Sequence, residues 1–146
     1  MKYRLTDETK EWCGHTLHKI EYTEEWLEEQ DLDELEGGWI ESEDNLSQEG
    51  NAKVYGNAQV YGNALVYGNA WVYGNTRVHG DALVHGDAQV FGDARVYGNA
   101  LVYGNARVSQ GGTTSMRIST TEQWYEYQYR KAELQKKWDK ESKDED

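Results

Sequence analysis

One six-residue phrase repeats ten times, with no change of spacing, between Gly50 and Ser109. Each unit reads Gly, then Asn or Asp, a small residue, a variable residue, Val, and usually an aromatic residue. The ten valines are Val54, Val60, Val66, Val72, Val78, Val84, Val90, Val96, Val102 and Val108. Apolar residues on one face of an α-helix recur every three or four residues, so a period of six is not helical. The repeat therefore predicts an all-β fold.

Each unit predicts a short strand followed by a turn. The small residue and Val are two positions apart and share one face of the strand, whereas the variable and aromatic residues share the other. Gly accepts a positive φ, and Asn and Asp tolerate the left-handed conformation, so these residues supply the turn. Because so short a strand needs neighbours to bury its apolar face, we expect three units to form a triangular coil and the coils to stack in parallel.

The phrase Gly-Asn-Ala-x-Val-Tyr resembles the hexapeptide repeat of left-handed parallel β-helices over residues 50–109. This resemblance implies a left-handed parallel β-helix, of about three to four coils for ten units, and a homotrimer. The stretch that begins Gly-Gly-Trp-Ile at Gly37 also resembles short hexapeptide-repeat proteins of bacteria and phages. We expect an acidic amino-terminal cap with short strands and a helix (1–49), the β-helix (50–109), and a linker followed by a C-terminal α-helix (110–146).

The variable positions fall into three columns when every third unit is compared. One column is Leu65, Leu83 and Leu101, and the aromatic positions beside it are Tyr67, His85 and Tyr103. The other columns are Lys53, Trp71, Gln89 and Arg107, and then Gln59, Arg77 and Arg95. An exposed apolar ladder usually marks a contact surface. The leucine column predicts either a subunit interface or a docking face for the C-terminal helix, and both hold if the helix lies between subunits.

The carboxy-terminal region predicts an amphipathic helix. Ser119-Thr-Thr-Glu122 has the spacing of a capping box at a helix start. The apolar seam of the helix is Trp124, Tyr127, Leu134 and Trp138. A seam with this spacing packs against a neighbouring element, so we expect it to cover its own β-helix or to mediate self-association or partner capture.

The net charge of −12 lies almost entirely in residues 1–49, which carry 16 acidic and 4 basic side chains. Phosphate binding needs clustered Lys and Arg, so this composition argues against direct nucleic-acid binding. The candidate partner-binding carboxylates are Glu24, Glu25, Glu28, Glu29, Asp31, Asp33, Glu34 and Glu36.

Residues 23–36 predict a short acidic helix that ends at Gly37-Gly38. The six-residue spacing of Ile40 and Leu46 predicts an irregular first coil.

The acidic segment supports two hypotheses. Its carboxylates and interspersed tryptophans match a basic groove on another protein, of the kind that normally holds nucleic acid. A phage protein of this type would inhibit a host defence protein by charge mimicry. The alternative is a solvated surface that only keeps the chain soluble. The lone Cys13 and the absence of a long apolar run favour a cytoplasmic protein that does not enter the membrane.

The family that the repeat resembles includes acyltransferases and one class of zinc carbonic anhydrase. Those carbonic anhydrases use three histidines, two of them five residues apart, whereas His79 and His85 are six apart and no third repeat histidine follows. Cys13, His15 and His18 lack a fourth ligand for a structural zinc site. Acyltransferases of this type carry a looped-out segment, and this repeat has no interruption. We expect a non-enzymatic interaction protein with no metal and no cofactor.

Overall fold

The computed structural model of the chain describes residues 1–109, 113–114, 117–118, 120–121 and 123. These residues form a parallel β-solenoid of about 4 turns, with an antiparallel hairpin before it and almost no helix. The elements before the repeat are β1 (Tyr3–Trp12), β2 (His15–Tyr22), α1 (Glu24–Glu29), β3 (Glu36–Ile40) and a 3₁₀ turn (Glu43–Asn45). The predicted β-helical architecture is confirmed at this level.

Each repeat unit contributes one strand, as the period of six predicts, and each of these strands is two residues long. These strands are β4 (Lys53–Val54), β5 (Gln59–Val60), β6 (Leu65–Val66), β7 (Trp71–Val72), β8 (Arg77–Val78), β9 (Leu83–Val84), β10 (Gln89–Val90), β11 (Arg95–Val96), β12 (Leu101–Val102) and β13 (Arg107–Val108). All ten repeat valines and the small residues two positions before them are buried. Gly turns the corners with φ near +70°, and a Cβ on Gly80 would lie 2.9 Å from the Gly98 nitrogen of the next coil. Stacked corners therefore require glycine.

Strands of successive coils pair in parallel and build three faces. The hairpin face contains β3, β5, β8 and β11; the tryptophan face contains β4, β7, β10 and β13; the leucine face contains β6, β9 and β12. Paired residues such as Leu65 and Leu83 are eighteen positions apart, which confirms the coil of three units. The three predicted columns of variable residues are therefore three columns in space.

The solenoid extends beyond both ends of the repeat. At the amino end, Ile40 pairs with Val60 and Leu46 bridges to Val66, which confirms the predicted irregular first coil. At the other end, β14 (Thr113–Thr114) pairs with β11, and β15 (Arg117–Ile118) pairs with β12. The expectation of a plain linker after residue 109 is thus wrong in part, because Thr114 and Ile118 take the strand positions that Val holds in the repeat. Thr114 keeps the six-residue spacing from Val108, whereas Ile118 follows after four residues, and neither belongs to a copy of the repeat phrase.

The amino-terminal region departs from its prediction at Gly37 and Gly38. Helix α1 ends at Glu29, and Asp31 turns the chain with φ +58°, so the two glycines lie in β3 and do not end the helix. A Cβ on Gly37 would overlap the carbonyl oxygen of Ile20, and one on Gly38 would lie 2.8 Å from a methyl group of Val54. The two glycines therefore let neighbouring strands approach closely, and they do not end the helix.

The amino-terminal residues close the open lower end of the solenoid. The Tyr22 hydroxyl donates to the Val54 carbonyl (2.9 Å) and accepts from the Val54 N–H (2.8 Å), which satisfies a strand that has no coil beneath it. The Lys2 ammonium donates to the Ala52 carbonyl at 2.7 Å, and burial lowers the pKa of Lys2 to about 8. The Tyr3 hydroxyl donates to the Leu46 carbonyl. This region is therefore a cap, as solenoid ends require.

The predicted helix seam of Trp124, Tyr127, Leu134 and Trp138 lies outside the described residues. At its predicted start, the Gln123 N–H donates to the Thr120 hydroxyl at 3.1 Å. In the part of the chain that the structure describes, no helix is long and apolar enough to cross a membrane.

Candidate interaction surfaces

The leucine face presents an apolar column and an aromatic column side by side. Leu65, Leu83 and Leu101 occupy one position in successive strands, with Leu65 38% exposed and the other two half-buried. In the neighbouring column the rings of Tyr67 and His85 stack at 4.7 Å, with an interplanar angle of 4°. The structure therefore brings together the residues that the sequence predicted for this face.

The leucine face ends in a cation at the carboxy-terminal side. Arg117 occupies the rung above Leu101, and its Nε donates to the Tyr103 hydroxyl at 2.8 Å. The guanidinium carbon also lies 5.1 Å from the centroid of the Tyr103 ring, while His85 stacks on that ring at 5.4 Å. The apolar surface thus spans three rungs and is limited by a charged group.

The hairpin face is covered by the chain itself, because the tip of the β1–β2 hairpin folds over it. The His15 Nδ1 lies 2.7 Å from a Glu41 oxygen, and the His15 ring packs on Tyr61 at 4.9 Å. The Arg77 guanidinium lies 4.1 Å from the centroid of the Trp12 ring. Burial raises the pKa of Tyr61, and a hydrogen bond from Trp12 opposes that shift. This face is therefore not a free docking surface near its lower end.

Two shallow depressions lie near the tryptophan column. One, of about 310 Å³, is lined by Lys2 and Trp26 of the amino-terminal cap, and the other, of about 280 Å³, is lined by Lys53 and Trp71. The Lys53 ammonium lies 4.7 Å from the Trp71 ring and 5.6 Å from the Trp26 ring. Because the ammonium occupies the lower face of the indole, Trp71 offers mainly its edge to a ligand.

The eight predicted partner-binding carboxylates are exposed at the amino end of the molecule. Four lie on α1, which Trp26 and Leu27 anchor in the core, and three of the rest lie in the turn that follows. Glu36 begins β3, and its hydrogen bond from Lys19 (2.7 Å) lowers its pKa. Among the described residues, the other seven carboxylates form no ion pair. We call the eight carboxylates the acidic rim.

The histidines considered as metal ligands do not converge. His79 follows β8 on the hairpin face, whereas His85 follows β9 on the leucine face. Each is a ring in an aromatic stack, as the tyrosines at equivalent positions are. His15 pairs with Glu41. Within the described ranges, no three His, Cys, Asp or Glu side chains lie close enough together to hold a metal ion.

The contact between the hairpin tip and the hairpin face was not predicted from the sequence. The pattern of β1 and β2 indicates strands, but nothing local shows that their tip bends back onto the coil. One signal was available: Cys13-Gly14 is a two-residue turn with φ of +49° and +83°, which is the geometry of a tight hairpin. Leu17 is fully buried although it lies outside the main core cluster.

A family model described as the YdcK beta solenoid repeat matches residues 58–74 and 88–103. Both matched segments lie inside the ten-unit repeat, and together they cover less than half of the chain. No curated protein matches the chain. Together with the coiled architecture, this similarity shows a repeat β-solenoid protein of a scaffold-like kind.

Proposed function

We propose that this protein is a non-enzymatic interaction scaffold that assembles as a homotrimer through the leucine face and offers its acidic rim to a partner protein. We also propose that the solenoid is a left-handed hexapeptide-repeat β-helix and that the protein is cytoplasmic. The observation that carries it is the leucine face, where Leu65 and Tyr67 are exposed and Leu83 and Leu101 are half-buried, while the hairpin covers another face.

The leucine face has the chemistry of a subunit contact. Its leucines and stacked rings are held in register by backbone pairing, so little side-chain entropy is lost when a second copy packs against them. Burying apolar surface contributes about 25 cal/mol per Å². Three copies related by a threefold axis close into a ring, so assembly stops at a defined size.

The acidic rim has the chemistry of a contact with a basic protein. Seven of its carboxylates, which form no ion pair with the described residues, lie on a short helix and the turn after it. Such a surface speeds encounter with a positively charged groove and makes binding salt-dependent. In this proposal the protein is of phage origin, and the groove belongs to a host defence protein that otherwise binds nucleic acid.

The trimer is tested with Leu83→Glu, which places a carboxylate in the middle of the leucine column. Gln89→Glu is the matched control, because Gln89 holds the same position on the tryptophan face. We expect light scattering to give a trimer for the parent and the control, and a monomer for Leu83→Glu. An unchanged mass for Leu83→Glu would remove the leucine face as the interface.

The partner is tested by capture from bacterial lysate at low and high salt. One variant replaces Glu24, Glu25, Glu28 and Glu29 with Gln, and the control replaces Asp81, Asp87 and Asp93, three exposed carboxylates of the solenoid corners, with Asn. We expect a salt-sensitive partner that the first variant loses and the second keeps. If both variants retain the same proteins, the acidic rim is only a solvated surface.

A further inference from the structure

Two arginines stack on the hairpin face without a counter-charge. Arg77 and Arg95 are direct partners in the pairing of β8 with β11, which places them on rungs about 4.8 Å apart. Like charges at paired positions destabilise a sheet. Within the described residues neither guanidinium lies in an ion pair, although the chain as a whole carries a net charge of −12.

Further basic side chains lie close to the two arginines. Burial, Lys19 and Arg77 lower the pKa of Lys10, and burial, His15, Arg77 and Arg95 lower the pKa of His79. Glu41 is already engaged, because one of its oxygens contacts His15 and the other accepts from the Gly62 N–H at 2.9 Å.

The Asp nearest to the two arginines in sequence is also engaged. Asp93 lies in the same unit as Arg95, and its Oδ1 accepts a hydrogen bond from the Asn75 side chain at 3.4 Å. Arg77 is close enough to Lys10 and to Arg95 for their charges to oppose one another, and both Asp93 and Glu41 accept hydrogen bonds from other groups. An added anion would relieve this repulsion.

Aromatic rings fix the shape of this basic cluster. The Arg77 guanidinium carbon lies 4.1 Å from the centroid of the Trp12 ring, and a guanidinium that contacts an aromatic face can still donate its N–H groups to a ligand. Tyr97 stacks on His79 at 5.7 Å and stands next to the exposed Arg95. Two guanidinium groups with N–H edges at neighbouring rungs match the oxygens of a phosphate group, which arginine binds through two parallel hydrogen bonds.

We infer that Arg77 and Arg95 bind the phosphate group of a phosphate monoester on the upper part of the hairpin face, above the hairpin tip. Each guanidinium donates to different phosphate oxygens, and the ring of Tyr97 lies beside the group that the phosphate carries. The site is independent of the leucine face and of the acidic rim.

The test is isothermal titration calorimetry of the full chain with three probes at low ionic strength. Inorganic phosphate and adenosine monophosphate are expected to bind one per chain, and adenosine, which lacks phosphate, is expected not to bind. Tighter binding of the monophosphate than of inorganic phosphate would show that the attached group contributes, and equal binding would show that the phosphate alone is recognised.

Arg95→Gln should weaken phosphate binding by about tenfold or more, because a charge-assisted, two-bond contact is lost. Arg107→Gln is the matched control, since Arg107 is an exposed arginine at the same position on the tryptophan face but lies above Gln89. Two results would overturn the inference: no heat of binding at phosphate concentrations of about 10 mM, or an equal loss in both variants.

Discussion

Tyr22→Phe removes the hydroxyl that closes the lower edge of the tryptophan face at Val54. In the parent, that hydroxyl donates to the Val54 carbonyl and accepts from the Val54 N–H, and both residues are buried. The ring itself stays, including its stack on Trp26 at 4.9 Å. The variant therefore isolates the effect of two lost hydrogen bonds.

The expected cost follows from the state of the Val54 backbone. A buried N–H or carbonyl without a partner costs about 1–3 kcal/mol, and two on one residue share any water that enters, so we expect a loss of about 2–4 kcal/mol in the free energy of unfolding. Urea titration followed by tryptophan fluorescence measures it, provided that the slope with urea is unchanged.

Tyr73→Phe is the control for Tyr22→Phe. The Tyr73 hydroxyl makes one long hydrogen bond to Gln89 (3.3 Å) near solvent, and Phe91 already holds the same position one coil above. Its cost should stay below about 0.5 kcal/mol. If Tyr22→Phe costs no more than this control, the hydroxyl does not cap the edge and the reasoning fails.

Three further substitutions test the interior, the corners and the stacked rings. Thr76→Val should raise the free energy of unfolding by about 1 kcal/mol, because the buried Thr76 hydroxyl has no hydrogen-bond partner among the described residues and Val keeps its shape. Asn63→Asp should lower it by about 0.5–1 kcal/mol, because it replaces the 3.1 Å hydrogen bond to Asp81 with two neighbouring carboxylates. The pKa of His79 is lowered in the folded state by burial first, so the unfolded chain takes up protons before the folded one and stability falls as the pH drops below about 6.5. His79→Tyr should remove that part of the pH dependence.

Each of these three has its own check in urea titrations. A destabilised Thr76→Val would show that the hydroxyl has a partner. Asn57→Asp, whose neighbour is the neutral Asn75, should cost less than Asn63→Asp, and the gap should shrink in high salt; equal costs would contradict the charge argument. For His79→Tyr, an unchanged difference in stability between pH 7 and pH 5 would mean that His79 does not control it.

The interior of this protein could be predicted from sequence because one rule applies ten times. Val and the small residue before it must lie on the same strand face, and the period of six then fixes the coil, the pairing and the leucine face. Every member of that prediction depends on local geometry, which is what a sequence encodes most directly.

The ends could not be predicted in the same way, because they depend on contacts between distant residues. Gly37 and Gly38 look like a helix stop, yet they are small because Ile20 and Val54 approach them from other strands. Thr114 continues the coil without the repeat phrase, since its strand is set by pairing with Val96.

The surroundings of the arginine pair and the position of the hairpin over its face could not be predicted from the sequence, again because they depend on contacts between distant residues. The column Gln59, Arg77, Arg95 shows that two arginines are neighbours, but only the structure shows Trp12 against one of them and Glu41 engaged elsewhere. The repeat therefore predicts which residues are neighbours within the coil and not what the flanking segments place over them.

The mass of the unmodified chain in solution tests the central claim most directly, because the scaffold proposal depends on assembly through the leucine face. Sedimentation velocity over a range of protein concentrations gives that mass without any substitution. The account predicts a single species of three times 16.8 kDa that persists on dilution. A species of 16.8 kDa at every concentration would contradict it.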